Sequence, residues 1–339
     1  MTSGARTRLV RDTCSRGKGE SPAEAAAVRI IVTGGAGFIG SHIVDLYLEL
    51  GHEIVVIDSL WSHGGGRREN IPARVGFVHL DIRDDEIQRV FLEFKPEIVC
   101  HHAAQHSVAI GSRDPKYDAQ VNVIGLLNVL EASVRAGASK VIYASSGATY
   151  GTPDSLPMDE STPQRPESPY GITKMVGEHY LQFYRNERGL DFTALRYANI
   201  YGPRQDPNGE AGVIAIFAGK FLAKTGVRID WDGEQTRDYV YVRDIARCNV
   251  LALERGSGGC YVIGTGKRTS VNQIYETLVE ISGFRAPIER AEKRPGDVRD
   301  AQFSSALAKR ELEWEPQVAL IDGMRMTYDY FRERSTTRA

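Results

Sequence analysis

The sequence has no long hydrophobic run, few cysteines and almost no net charge, and each shortage excludes something. No apolar stretch approaches the roughly 20 residues needed to cross a bilayer, so no segment reads as a membrane span. Lysine and arginine total 42 against 44 aspartates and glutamates, a formal charge of −2. That balance argues against a general affinity for nucleic acid or anionic membrane, and local arginines would have to hold any phosphorylated ligand. The four cysteines, Cys14, Cys100, Cys248 and Cys260, are scattered without a C-x-x-C pair. This suits reduced thiols in a cytoplasm rather than a disulfide scaffold. His101-His102 and His106 lack a third ligand or a carboxylate motif, so no metal site is expected. Residues 1–27 are rich in Arg, Ser, Gly and Ala, without the apolar stretch of a signal peptide, and read as a disordered extension.

What is present is enough for a large core. A chain of 339 residues with 42% hydrophobic content fits one large domain with a smaller appendage. Short apolar runs at Val28–Thr33, Glu53–Ile57, Val75–His79, Glu97–Cys100, Lys140–Ala144 and Phe192–Arg196 read as buried strands. Between them, helical spacing marks Phe38–Leu50, Asp84–Phe94, Pro115–Ala136 and Pro169–Arg188. Alternating strands and helices predict an α/β fold: a Rossmann-type, doubly wound parallel sheet with right-handed crossovers. After about Gly202 the pattern loosens, with helices near 213–224, 271–282 and 319–332 and strands near 236–241 and 259–263. The organisation expected is a main domain over 28–202, a smaller region over 203–332 interleaved with it, and a tail over 333–339.

The first strand runs into Gly34-Gly35-Ala36-Gly37-Phe38-Ile39-Gly40. Gly34 permits a tight turn, Gly37 lets backbone approach a pyrophosphate, and Gly40 lets helix pack closely on strand. The strand–turn–helix context makes a dinucleotide the expected ligand. Asp58, at the end of the second strand, would accept hydrogen bonds from an adenosine ribose and repel a 2′-phosphate, which favours NAD. Arg67 and Arg68 follow and could instead hold that phosphate, which keeps NADP open. Asp81-Ile82, after the third strand, could hold the adenine edge.

Tyr170 and Lys174 form a Y-x-x-x-K pair, and a spacing of four puts both on one helix face. An ammonium beside a phenol stabilises the phenolate, so such a tyrosine can serve as a general base. Ser146 lies 24 residues before Tyr170, at the carboxyl end of a strand, where open α/β sheets place ligands. It could hydrogen-bond the same substrate hydroxyl.

With these motifs in hand, the sequence resembles the extended short-chain dehydrogenase/reductases, and within them the UDP-glucose 4-epimerase group. The likeness rests on the glycine motif, the Ser146…Tyr170-x-x-x-Lys174 triad, Asn122 in Asn122-Val123-Ile124-Gly125, and Leu195-Arg196-Tyr197-Ala198-Asn199-Ile200-Tyr201-Gly202. It also includes Arg237-Asp238-Tyr239-Val240-Tyr241-Val242-Arg243-Asp244 and Arg294-Pro295-Gly296-Asp297, and covers residues 28 to about 332. The resemblance implies that Lys174 also binds the nicotinamide ribose, that Tyr197 lies near the nicotinamide and that Asn122 belongs to the cofactor site. It further implies that Asn199 and the backbone around Ala211–Val213, Gly212 included, contact the sugar nucleotide. Arg237 and Arg294 would grip the diphosphate and Asp297 the nucleoside ribose, a role that suits bidentate guanidiniums. Arg204 is a further candidate.

A 4-epimerase needs a base for the C4 hydroxyl, a hydride acceptor and room for a 4-keto intermediate to turn over. Resembling 4,6-dehydratases place Asp-Glu directly after the catalytic Ser/Thr, and resembling decarboxylases keep a glutamate there. Gly147 and Ala148 occupy those positions here, and neither can transfer a proton. The pattern favours epimerisation of a UDP-sugar, with another nucleotide-sugar short-chain dehydrogenase (a 4-ketosugar reductase, dehydratase or decarboxylase) or a non-catalytic NAD-binding protein as alternatives. Ala301, aligned from Asp297, would border the far side of the sugar, and its small size leaves room for UDP-N-acetylglucosamine beside UDP-glucose; UDP-glucuronate is a third candidate. In related enzymes the helices corresponding to 115–136 and 169–188 form a dimer interface, so a homodimer is expected.

Overall fold

The structure is a computed structural model that describes residues 27–61, 64–207, 212–293 and 298–337. The expected N-terminal extension lies outside these residues except for Ala27, as do Ala211, Arg294 and Asp297. Seven strands form one sheet: β1 (Arg29–Thr33), β2 (Glu53–Asp58), β3 (Gly76–His79), β4 (Ile98–His101), β5 (Lys140–Ser146), β6 (Asp191–Tyr197) and β7 (Gly259–Ile263). Their order is β3-β2-β1-β4-β5-β6-β7, and every neighbouring pair is parallel. The order reverses between β1 and β4, which opens a crevice at the carboxyl ends of the strands.

Alternation along each strand divides the core between two faces. Ile30, Val32, Ile54, Val56, Ile98, Cys100, Ile142 and Leu195 pack on one side, with Ile43, Val44 and Tyr47 of helix Phe38–Glu49 and Ile245 and Cys248 of helix Val242–Leu251. Ile31, Ile57, Val99, Val141, Tyr143, Phe192 and Ala194 pack on the other, under helices Ile87–Phe94, Gly125–Ala136 and Pro169–Arg188. A third core joins helices Val213–Leu222, Val271–Ser282 and Leu320–Thr337 through Ile214, Phe217, Phe221, Ile274, Leu278 and Met324.

Two local expectations change. The helical run over 115–136 is continuous but contains a π turn at Gln120–Ile124, which holds Asn122; such turns often mark functional positions. The stretch 236–241 is two strands rather than one. Thr236–Arg237 pairs antiparallel with Thr269–Ser270, and Tyr239–Tyr241 pairs parallel with Asn199–Tyr201. The break falls at buried Asp238, whose carboxylate accepts hydrogen bonds from the N–H groups of Thr265, Gly266 and Phe303 and from the Thr265 hydroxyl. Helix Val242–Leu251 and strand β7, which follow Gly202 in sequence, pack into the core and main sheet formed by the preceding residues.

Candidate active site

The turn after β1 is shaped by contacts that only glycine allows. Gly34 has φ +72°, and a β-carbon there would stand 2.5 Å from the Ala103 nitrogen. A β-carbon on Gly40 would overlap the Gly34 carbonyl oxygen, so helix Phe38–Glu49 starts hard against the turn. At Gly37 the sole near neighbour of such a carbon is the Gly34 oxygen, at 3.2 Å, which leaves the N-terminal end of that helix approachable. No side chain caps this helix, so its first N–H groups and dipole are free for an anionic group. Phe38 and Ile39 form its first turn.

Asp58 is set beside this turn at the end of β2. Its two carboxylate oxygens accept the Ala36 N–H at 3.0 Å and the Leu60 N–H at 2.9 Å. Burial nonetheless raises its pKa, against those two hydrogen bonds. The arginines that could have served a 2′-phosphate are engaged elsewhere: Arg67 pairs with Glu69 at 3.8 Å, and Arg68 donates to the Ile71 carbonyl and lies over the Phe77 ring. Asp81 accepts from Arg83 at 2.7 and 3.0 Å, which lowers its pKa, and Ile82 is buried against Gly125. A glycine cradle that a side chain would fill and a carboxylate at the ribose position together fit a dinucleotide.

The helix Pro169–Arg188 starts with Ser168 as its cap, accepting the Gly171 N–H, and with Pro169 in the first turn. It lies close on β5: β-carbons on Gly171 or Gly177 would overlap the Ala148 carbonyl oxygen and the Tyr143 hydroxyl. That approach brings the triad together. Tyr170 hydrogen-bonds Ser146, whose oxygen also accepts the Ala148 N–H at 3.1 Å. Lys174 is buried, donates to the Ala144 carbonyl at 2.8 Å, and stands 5.9 Å from the centre of the Tyr170 ring and 4.9 Å from that of Tyr143. Burial pushes the Tyr170 phenol up to about 12, with the Ser146 hydrogen bond opposing, and pulls Lys174 down to about 8, with the Asp118 charge opposing.

The carboxyl end of β4 adds two histidines that burial keeps neutral. His101 shares a 2.7 Å hydrogen bond with the Thr33 hydroxyl and stacks on Tyr143; its pKa is held well below the usual value. His102, depressed to about 3, meets the Tyr197 hydroxyl at 3.1 Å, and Asn249 donates to that hydroxyl at 2.8 Å. Tyr197 thus directs its hydroxyl into a buried network. Asn122 is similarly engaged, donating to the Gln105 carbonyl, Asp118 and Thr173 and accepting the Gln105 N–H. It fixes the loop after β4.

The proposed substrate side is more scattered. Asn199 is exposed just beyond β6. Gly212 precedes the uncapped N-terminus of helix Val213–Leu222. Arg237 donates to the Thr236 carbonyl at 2.8 Å. Arg204 has a different partner, Asp45 at 2.8 Å. Ala301 is 9% exposed, and hydrogen bonds on both sides hold its segment: Ala301 N–H to the Thr236 carbonyl, Met158 N–H to the Gln302 carbonyl and Ser304 N–H to the Met158 carbonyl. Beside it, the Phe303 ring covers Gly147.

Sequence reasoning missed four side chains that shape the site: Asp118, Thr173, Glu178 and Phe303. Two carried a signal. Asp118 precedes Asn122 by four residues, and Glu178 follows Lys174 by four, the spacing of one helix face. Glu178 makes a bidentate pair with buried Arg196 at 2.9 and 2.7 Å and also accepts from Ser145 and Gln164. Among the described residues, no three metal-capable side chains cluster, and no helix is long and apolar enough to cross a membrane.

Comparison with known proteins shows the family. The family model described as "NAD dependent epimerase/dehydratase family" matches residues 30–264. The UDP-glucose 4-epimerase of Mycolicibacterium smegmatis is 42% identical over 315 residues, covering 91% of this chain and all of that protein. A crystal structure of the Thermotoga maritima UDP-glucose 4-epimerase with UDP-glucose superposes with a TM-score of 0.88 at 46% identity, covering 91% of this chain and 99% of that one. The Thermus thermophilus UDP-glucose 4-epimerase in complex with NAD gives a TM-score of 0.85 at 43% identity, covering 90% and 99%. With the family model matching residues 30–264 and relatives more than 40% identical over nine-tenths of the chain, the chain belongs to the NAD-dependent epimerase/dehydratase family.

Proposed function

We propose that the chain interconverts the C4 epimers of a UDP-sugar, with NAD as a resident cofactor and UDP-glucose/UDP-galactose as the leading pair. The observation that carries this reading is the surface after Ser146. Gly147 and Ala148 offer no proton donor where a dehydratase or decarboxylase needs one, and Phe303 fills the adjoining space. The comparisons support the same reading, since relatives 41–46% identical over most of the chain bear the epimerase name, whereas a dTDP-glucose 4,6-dehydratase of similar fold is 31% identical. Arg237, Arg294, Asp297, Asn199 and the Gly212–Val213 backbone are the groups proposed to hold the UDP moiety.

The chain's own residues supply binding, orientation and proton transfer. Gly34, Gly37 and Gly40 would seat the cofactor's pyrophosphate, Asp58 its adenosine ribose, Asp81 and Ile82 its adenine, and Lys174 its nicotinamide ribose. When bound, NAD supplies a reversible hydride acceptor for C4 and a positive charge that lowers the Tyr170 pKa. Tyr170 then takes the proton of the C4 hydroxyl, Ser146 hydrogen-bonds the same oxygen, and the Lys174 ammonium stabilises the phenolate. After the 4-keto sugar turns over, Tyr170 returns the proton to the alkoxide formed on the opposite face. No reductant is consumed.

Homodimerisation belongs to the same proposal, supported by Val108, Ile124, Ile172 and Phe183, large apolar residues exposed on helices around the catalytic one. A monomer mass in light scattering at micromolar concentration would count against it. A cytoplasmic location is supported by the free thiols Cys100, Cys248 and Cys260. For the activity, purified protein is mixed separately with UDP-glucose, UDP-N-acetylglucosamine and UDP-glucuronate plus NAD and followed by proton NMR. A galacto product without net NADH is expected, and Tyr170→Phe should lose about 10²–10⁴-fold in turnover. Accumulated NADH, or a 4-keto product, would replace the epimerase with a dehydrogenase.

A further inference from the structure

Asp118 is fully buried, and its hydrogen bonds all come from neutral donors. One oxygen accepts the Thr173 hydroxyl at 2.7 Å and the Asn122 amide at 3.2 Å; the other accepts the Gln105 amide at 2.6 Å. The cavity is tight, since a β-carbon on Gly111 would stand 2.6 Å from that second oxygen. Glu178, on the catalytic helix, is nearly as buried but is neutralised by Arg196. Among the described residues no ion pair includes Asp118, and none includes Lys174. A buried charge without a compensating charge is costly. Here an unpaired anion and an unpaired cation are buried in one site, joined through Thr173, the residue next to Lys174.

We propose that Asp118 is the positioning counter-charge of the active site: it holds Lys174 as an ammonium in its buried setting and sets the pH window in which the Tyr170–Lys174 pair works. Thr173 ties this charge to the catalytic helix, because it lies on that helix beside Lys174 and its hydroxyl donates to Asp118 at 2.7 Å. The other groups facing the pair cannot take this part. His101 and His102 of β4 are neutral and, if protonated, would repel Lys174. Tyr143 of β5 is a neutral phenol, and Glu178 is committed to Arg196. The Asp118 charge raises the pKa of Tyr170 and of Lys174 alike. Removing it should therefore move both limbs of the activity profile in the same direction.

The test rests on the epimerase reading and uses the NAD-loaded full chain. Turnover of UDP-galactose is measured from pH 5 to 10 for the unaltered protein, Asp118→Asn, Asp118→Glu and Thr173→Val. Asp118→Asn should shift both limbs to lower pH by about one unit, the low end of what a nearby opposite charge produces. Asp118→Glu should return them toward their original positions, and Thr173→Val should lower turnover without moving them. A fall in kcat for Asp118→Asn with both limbs in place would overturn the proposal and leave Asp118 a packing residue. If Asp118→Asn does not fold, Asp118→Asn/Lys174→Met decides the matter. A double variant that folds where the single does not shows that the two charges balance one another; one that also fails contradicts it. Absence of turnover in the unaltered protein strikes the epimerase reading; the melting temperatures then judge the counter-charge, since Asp118→Asn/Lys174→Met should melt above Asp118→Asn, and an equal or lower value contradicts it.

Discussion

The Phe303 ring occupies the space into which a side chain at Gly147 would project. A β-carbon on Gly147 would stand 2.9 Å from Cε1 of that ring and closer still to Cζ. The two residues are 156 apart in sequence, yet together they leave no room for a side chain at position 147. The lack of a proton donor there is therefore built into packing, and not merely a choice of residue.

Gly147→Asp should on this basis fail to create a dehydratase. The crowded side chain should destabilise the fold by about 1–3 kcal/mol, the usual cost of overpacking, and reduce epimerase turnover. Adding Phe303→Ala should recover part of the lost melting temperature. Proton NMR of the products and thermal denaturation check both statements; a 4-keto-6-deoxy product from Gly147→Asp alone would show that packing does not restrict the reaction.

Ala301 stands in an extended segment tied to Thr236 on one side and to Met158 through its neighbours Gln302 and Ser304 on the other. A larger residue there cannot move aside easily. Ala301→Tyr should abolish any activity on UDP-N-acetylglucosamine while UDP-glucose activity is retained, and unchanged selectivity would remove Ala301 from the sugar-binding wall.

Three histidines make the fold sensitive to acid. Burial holds His42 at about 4, His102 at about 3 and His101 well below its ordinary value. Above pH 6.5 the ring is neutral in folded and unfolded chains alike, and no stability is lost. As pH falls below 6.5 the unfolded chain takes up protons that the fold refuses until about 4 or lower, so stability declines. Each histidine contributes up to about 1.4 kcal/mol per pH unit in that window. Denaturant midpoints should fall steeply between pH 6.5 and 4, and His42→Gln should flatten the slope.

The pair of Arg196 with Glu178 ties β6 to the catalytic helix, and Arg196 also donates to the Tyr150 hydroxyl at 2.8 Å. Arg196→Met leaves Glu178 buried without a compensating charge and should destabilise the chain by about 3–5 kcal/mol. Arg196→Met/Glu178→Leu should be more stable than the single variant. Equal stabilities for the two would mean that the carboxylate finds another partner.

The sequence made visible whatever is local. The glycine turn, Asp58 at the end of β2 and the Tyr170–Lys174 spacing each sit within one strand–turn–helix or one helix face, where period and turn chemistry identify them. Helix Pro169–Arg188 has its sequence-derived limits because Ser168-Pro169 and Gly189 mark its ends. What stayed hidden depends on distant packing. Strand β7 enters the main sheet only after helix Val242–Leu251 has crossed beneath it, and nothing local distinguishes it from a strand of the second region. Asp238 splits the 236–241 run because its partners Thr265, Gly266 and Phe303 arrive from later loops. Asp118 looked like any polar helix residue until Gln105 and Thr173 closed over it.

The central claim is that C4 of the sugar is oxidised and then reduced on the opposite face within one active site. UDP-glucose deuterated at C4 tests it most directly. After incubation with the NAD-loaded protein in ordinary water, NMR and mass analysis of the product should show UDP-galactose with its deuterium still at C4 and no net NADH. Deuterium lost to solvent, or a product oxidised at C4 or dehydrated at C6, would contradict the account.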